Sequence, residues 1–138
     1  MSKELIETFF STPIYITEKP EWVSDTNKFC QPYIDESHLA HQNEVKRLGS
    51  DFGLVYHSTS IQDDPNLKYL TDWIGQTAHK VMTEWGADLS NHTLIYESMW
   101  VQEFPKDGGG NHNAHIHSNN HISGFFYLKV DTDGSHPV

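Results

Sequence analysis

Four of the ten histidines in this chain lie within one short segment: His112, His115, His117 and His121. Imidazole is the commonest side-chain ligand of metal ions and a ready acid or base near neutral pH. His115 and His117 are separated by one residue, and alternate side chains of a β-strand point to the same face. The spacing therefore predicts that this pair converges on one metal ion, with Ile116 facing the core on the other side.

A metal ion at this pair would be one that neutral imidazole binds well, such as Fe, Zn, Ni or Cu. A mononuclear site needs at least a third protein ligand, and an enzyme leaves positions open for water or substrate. We interpret His112 and His121 as supporting or surface residues, and Asn113 as a residue that orients a ligand imidazole. The alternative is a polar loop whose histidines bind nothing, because H-x-H arises by chance in a histidine-rich chain.

The histidine segment lies between two predicted strands. Leu94–Phe104 and Ile122–Val130 are both rich in aromatic and β-branched residues, which favours strands. Pro105–Gly110 contains three consecutive glycines and predicts a turn between the first strand and the histidines. Leu5–Ile16, which is broken at Pro13, predicts an extended element that begins or edges the sheet.

Helices are predicted before these strands. Residues 65–85 carry one apolar stripe at helical spacing, with Asp64 as the cap, Pro65 in the first turn and Gly86 after the last turn. Trp22–Tyr33 also has a spacing that is compatible with a helix. Because a helical layer is followed by strands, the pattern predicts an α+β domain.

The remaining sequence is less regular. Glu36–Gly53 is polar and is predicted to be a loop, whereas Leu54–Ile61 predicts a short strand. Asp131–Gly134 is a turn signal that only four residues follow. We therefore expect a single domain over residues 1–138 whose last strands are missing or are supplied by a partner. An exposed sheet edge of this kind favours a homo-oligomer.

Composition narrows the classes of function. The chain has 9 basic and 19 acidic side chains, a formal net charge of −10, which argues against duplex nucleic acid as a partner because such binders need a basic surface. No apolar run is long enough for a membrane-spanning helix, and no secretory signal is visible. The single cysteine, Cys30, is predicted to be a small buried hydrophobe in a reducing compartment, so the expected location is the cytoplasm.

Two families that use an H-x-H pair fit these residues incompletely. Metallo-β-lactamase-like hydrolases carry H-x-H-x-D-H, but Asn119 and Asn120 stand at the last two positions here. In cupins a glycine is followed by five residues, the H-x-H pair, three or four further residues and then a glutamate. Gly109 fits that spacing, but His121 stands where the glutamate should be. A cupin-like metal-binding protein stays open as an alternative.

A third set of motifs is distributed over nearly the whole chain. Phe9–Pro13 reads FFSTP, and His57-Ser58 precedes Asp64-Pro65 and the long helix. Trp100 lies on the predicted strand before the site, and the H-x-H pair is followed by Ser123–Leu128. In these motifs the chain resembles the 2-oxoglutarate/Fe(II)-dependent oxygenases of phages and marine bacteria, which are related to the prolyl hydroxylases. The last motif is the most specific, because that family has H-x-H followed by Ser-Gly-x-Tyr-Tyr.

This resemblance implies a double-stranded β-helix, a jelly-roll and cupin-like fold, with helices packed on one sheet. It implies that His115 and His117 bind Fe(II), with His117 where most relatives carry aspartate. Tyr127 is then expected to form a hydrogen bond to 2-oxoglutarate, the co-substrate. The third metal ligand and the Arg or Lys that pairs with the far carboxylate of 2-oxoglutarate come from later strands in relatives. We expect this chain to lack them, since His136 lies too close to His117 to be a substitute.

The function that the resemblance implies is hydroxylation of a small-molecule or peptide substrate whose identity the sequence does not reveal. Two alternatives remain at this point. One is the cupin-like metal-binding protein, with a different reaction or none. The other is a non-catalytic β-helix fragment that serves binding or assembly.

Overall fold

The computed structural model describes residues 14–113 and 115–130. In chain order the elements are helix α1 (Pro20–Leu48), strand β1 (Tyr56–His57), a 3-10 turn (Pro65–Leu67), helix α2 (Lys68–Glu84) and strand β2 (Gln102–Glu103). The two strands pair antiparallel, and β1 lies within the short strand predicted over residues 54–61. Residues 5–13 of the predicted N-terminal element, the turn at residues 131–134 and His136 lie outside the described residues.

Helix α1 has local signals at both ends. Pro20 occupies its first turn, Glu21 lies near the positive end of the helix dipole, and Gly49 ends it with a left-handed φ of 74°. The residues that it buries recur every three or four positions: Thr26, Cys30, Ile34 and Ser37. One face of α1 therefore packs against the rest of the chain.

The length of α1 corrects one prediction and confirms another. Trp22–Tyr33 is helical as predicted, but Glu36–Gly53 is not the expected loop, because α1 runs through most of it. Ser37 is buried and His41 and Val45 are half-buried, four residues apart on the inner face. An inner stripe made partly of serine and histidine gives little hydrophobic periodicity, so the pattern did not reveal this part of the helix.

The helix predicted over residues 65–85 is confirmed as the 3-10 turn followed by α2. The carboxylate of Asp64 accepts the backbone N–H of Asn66 at 2.8 Å and the hydroxyl of Tyr33 at 2.8 Å. These hydrogen bonds, with the backbone bond from Asn66 as the largest contribution, hold the pKa of Asp64 below its usual value. Gly86 follows the helix with a φ of 94°, as predicted for the residue after the last turn.

Replacing Asp64 by alanine is expected to lower the free energy of unfolding by about 1 kcal/mol, the usual loss for an N-cap. The folded pKa of Asp64 is lowered, so its stabilisation is present above the unfolded pKa of about 3.9 and is lost as the pH falls through the folded pKa. The difference between variant and wild type should therefore shrink on acidification. Urea unfolding at several pH values measures this. Asp63→Ala, at the exposed neighbouring position, is the control, and an equal loss there would contradict the capping role.

The strand predicted over Leu94–Phe104 is shorter in the structure, because only its residues in β2 are assigned to a strand. Upstream of β2, the backbone N–H of Met99 donates to Gln62 Oε1 at 3.1 Å. The backbone N–H of Val101 donates to Ser58 Oγ at 3.0 Å. Side-chain oxygens thus replace the carbonyls that a regular β-ladder would use, which ends the strand early.

Within the described part of the chain, no strand is assigned to Ile122–Val130, contrary to the prediction of a second strand there. Leu128 packs on the core, and Phe126 lies edge-on against Trp73 with ring centroids 6.4 Å apart. Phe125, by contrast, is 82% exposed. Side-chain packing rather than a hydrogen-bonded neighbour holds this segment. The double-stranded β-helix therefore stays a prediction.

The core is centred on Cys30, Ile61 and Leu67, whose exposed fractions are 3%, 2% and 0%. Burial raises the pKa of the Cys30 thiol to about 11, and the nearby Asp64 carboxylate raises it further. The thiol therefore stays protonated and unreactive near neutral pH. This confirms Cys30 as a small buried hydrophobe. In the described ranges, neither helix is long and apolar enough to cross a membrane.

Candidate functional site

The histidine segment follows a turn that is fixed to the chain just after α1. The backbone N–H of Gly53 donates to the carbonyl oxygen of Gly108 at 2.9 Å. The hydroxyl of Ser50 donates to Asp107 Oδ2 at 2.7 Å, and this hydrogen bond lowers the pKa of Asp107. The turn predicted over Pro105–Gly110 is thus confirmed, and it is anchored to residues more than fifty positions earlier in the sequence.

Two glycines of this turn pack where a side chain would have no room. A Cβ atom on Gly110 would lie 2.6 Å from the carbonyl oxygen of Leu54 and 2.8 Å from the ring of Pro105. A Cβ atom on Gly109 would lie 2.6 Å from the ring of Phe52, and the backbone there has a φ of 76°. Sequence reasoning missed this contact. The run of three glycines was its only local signal, since glycine permits close approach of one backbone to another.

The structure brings three of the clustered imidazoles near one another. The ring centroids of His115 and His117 are 5.0 Å apart, and those of His112 and His115 are 5.7 Å apart. His115 Nδ1 lies 2.8 Å from the carbonyl oxygen of Asn113. A carbonyl oxygen can only accept, so Nδ1 carries the proton and Nε2 of the neutral ring carries the lone pair. Asn113 thus orients His115 through its backbone, in the manner typical of metal-binding histidines.

The spacing of His115 and His117 suits two ligands of one metal ion. A metal lies about 2.1 Å from a ligating imidazole nitrogen, and hence about 3.2 Å from the ring centroid. Two rings in neighbouring positions, at about 90–109° around the metal, then have centroids about 4.5–5.2 Å apart. The observed 5.0 Å falls within that range. That the pair binds a metal stays a prediction.

His112 is held by contacts with β2 and Phe104, and its role as a supporting residue stays a prediction. Its Nε2 atom lies 2.8 Å from Gln102 Oε1 on β2, and its ring lies edge-on to Phe104 with centroids 6.1 Å apart. Its distance from His115 is also longer than two neighbouring ligands require. In the ranges that the structure describes, no group of three histidine, cysteine or carboxylate side chains is arranged to hold a metal.

Ile116 corrects the expectation of a core-facing residue on a strand, because its side chain is 85% exposed. The described residues of this segment form no strand. The backbone turns after His117, whose carbonyl oxygen accepts the N–H of Asn120 at 3.2 Å. Without a neighbouring strand there is no buried face for Ile116 to fill. His121 lies exposed beyond this turn.

Tyr127 lines a groove of about 250 Å³ beside the first turn of α1. Its ring is stacked with that of Phe125 at a centroid distance of 6.4 Å. Lys19 lines the same groove, and its Nζ atom lies 4.9 Å from the ring centroid of Trp22. None of the described histidines lines this groove. The structure therefore does not bring Tyr127 to the H-x-H pair, and its contact with 2-oxoglutarate stays a prediction.

No family model, curated protein or solved structure matches this chain. The function therefore has to follow from the residues themselves. The feature that is most specific in chemistry is the pair His115 and His117, carried by an anchored turn and oriented in part by a backbone carbonyl.

Proposed function

We propose that this protein is an Fe(II)- and 2-oxoglutarate-dependent oxygenase that hydroxylates a small-molecule or peptide substrate, built on a double-stranded β-helix. The observation that carries the proposal is the 5.0 Å separation of the His115 and His117 rings, which suits two ligands of one metal ion. Among the functions that such a pair can serve, the motifs at Phe9–Pro13 and Ser123–Leu128 favour the oxygenase.

When bound, Fe(II) together with 2-oxoglutarate would supply the oxygen-dependent oxidation of a substrate C–H bond. His115 and His117 would hold the metal from neighbouring positions. The Asn113 carbonyl keeps the His115 ring in the tautomer whose Nε2 lone pair is free. An imidazole pair brings no negative charge to a divalent cation, so binding of the dianionic co-substrate would offset that charge.

We place the protein in the cytoplasm. The support is that Cys30, the single cysteine, cannot form an internal disulfide, as is usual for proteins of a reducing compartment. The formal net charge of −10 favours a substrate other than duplex nucleic acid. Self-association through an exposed sheet edge stays part of the proposal.

The visible spectrum after anaerobic addition of Fe(II) and then 2-oxoglutarate tests this function. A keto acid that binds Fe(II) through two oxygens gives a metal-to-ligand charge-transfer band, which the metal alone lacks. We expect the band in the wild type and its loss in the double variant His115→Ala, His117→Ala. His79→Ala, an exposed position on α2, is the matched control and should keep the band.

Two other outcomes of this experiment would contradict the proposed oxygenase. Metal binding without the band would contradict the oxygenase and favour a cupin-like metal-binding protein. An absence of metal binding would favour a non-catalytic fragment. Because both substituted histidines are exposed, the circular dichroism spectrum of the double variant should match that of the wild type. Loss of the band can then be assigned to loss of ligands.

A further inference from the structure

A second group of histidines faces a cleft between α1 and the chain around β1. The cleft has a volume of about 140 Å³. Its polar lining residues are Tyr33, Glu36, Ser37, His41, His57, Ser58 and Thr59. The described lining contains one carboxylate, two imidazoles and no lysine or arginine. Neither His41 nor His57 belongs to the proposed metal site, and His57 enters the oxygenase resemblance only as a motif position.

Backbone carbonyls orient both imidazoles in the same way. His41 Nδ1 lies 2.9 Å from the carbonyl oxygen of Ser37, and His57 Nδ1 lies 2.9 Å from that of Ser58. Because each carbonyl can only accept, each Nδ1 carries the proton. The Nε2 atom of each neutral ring is then a hydrogen-bond acceptor. The two imidazoles line the cleft together with Glu36.

The two rings are also fixed by their neighbours. His41 lies edge-on to Tyr56 with ring centroids 5.7 Å apart, and His57 stacks on Trp100 at 4.8 Å. The hydroxyl of Ser37 donates to the carbonyl oxygen of His57 at 3.2 Å and ties the helix to the strand. A site whose groups are held in place before binding loses less entropy when a ligand arrives.

From this arrangement we propose that the cleft binds a small organic cation with several N–H donors, of the guanidinium or amidinium class. Such a cation can donate to both Nε2 atoms and pair with the carboxylate of Glu36. Tyr33 also lines the cleft, and its hydroxyl is fixed by donation to Asp64 at 2.8 Å.

The size of the cleft and the charges around it also support a small organic cation as the ligand. The volume of about 140 Å³ leaves room for a small organic ligand. An anion would meet a carboxylate residue and neither lysine nor arginine in this lining. The net charge of −10 also attracts a cation to the protein as a whole. This inference is independent of the proposed metal site.

Titration with methylguanidinium, followed by NMR of the imidazole Cε1–H signals, tests this site. The measurement is made at about pH 8, where an ordinary imidazole is neutral. We expect saturable shifts of the His41 and His57 signals at millimolar concentrations. Methylurea has a similar shape and no charge, and it should leave both signals in place.

Two variants assign the site. Glu36→Gln and His41→Phe should each weaken binding by about 10-fold or more, because each removes a partner of a charged hydrogen bond. Glu44→Gln is the control, since Glu44 lies exposed on the same helix with its carboxylate 3.9 Å from Arg47. An absence of saturable shifts, an equal response to methylurea, or wild-type affinity in Glu36→Gln would each overturn the proposal.

Discussion

The His117→Asp variant is expected to bind Fe(II) at least as tightly as the wild type, whereas His117→Ala is expected to bind it about 100-fold more weakly. Loss of a supporting hydrogen bond alone lowers metal affinity by about 10–100-fold, so loss of a ligand should reach at least the upper end of that range. An aspartate keeps a donor atom at the position. It also adds the negative charge that a pair of imidazoles lacks.

Anaerobic calorimetric titration with Fe(II) measures these affinities. His115→Ala should match His117→Ala, because each substitution removes one of the two rings that are 5.0 Å apart. His92→Ala, at an exposed position after α2, should leave the affinity unchanged. Wild-type affinity in both single alanine variants would show that the metal is held elsewhere. Loss of binding in His117→Asp would contradict the proposed role of this position.

Local signals explain which elements could be predicted from the sequence. The start of the 3-10 turn that leads into α2 is encoded by Asp64 and Pro65, and the inner face of α2 by apolar residues at helical spacing such as Leu70 and Val81. Each of these signals acts within a few residues. The second half of α1 has equally regular spacing, but its inner face includes Ser37 and His41. Because these inner residues are polar, the sequence pattern did not reveal this part of the helix, which tertiary contacts stabilise.

The candidate site likewise has one feature that could be predicted from the sequence and others that could not. The proximity of His115 and His117 follows from their spacing of two residues. The docking of the glycine turn on residues 50–54 joins positions that are more than fifty residues apart, which no local pattern reports. The exposure of Ile116 has the same origin, because a strand buries a face only when another element covers it. The pair His115 and His117 could therefore be predicted from the sequence, but the docking of the turn that precedes it could not.

Replacing Gly110 by alanine is expected to lower the free energy of unfolding by about 1–3 kcal/mol, the usual cost of inserting a group into a packed region. The added Cβ would lie 2.6 Å from the carbonyl oxygen of Leu54. That oxygen belongs to the backbone and cannot rotate away as a flexible side chain could. The turn has to move, and with it the segment that begins two residues later at His112. Urea unfolding measures the loss of stability, and Fe(II) titration measures the effect on the site.

Gly124→Ala is the matched control, because a Cβ at that position would meet nothing within 4 Å. It should change stability by about 0.5 kcal/mol or less. Gly108→Ala separates steric from conformational effects, since Gly108 has a φ of 80° but open space around its Cβ position. Equal stability of the Gly110 and Gly124 variants would contradict the close approach at Leu54. A Gly110 variant that loses both stability and Fe(II) affinity would show that the anchored turn positions the histidine pair, because His115 and His117 themselves are unchanged in this variant.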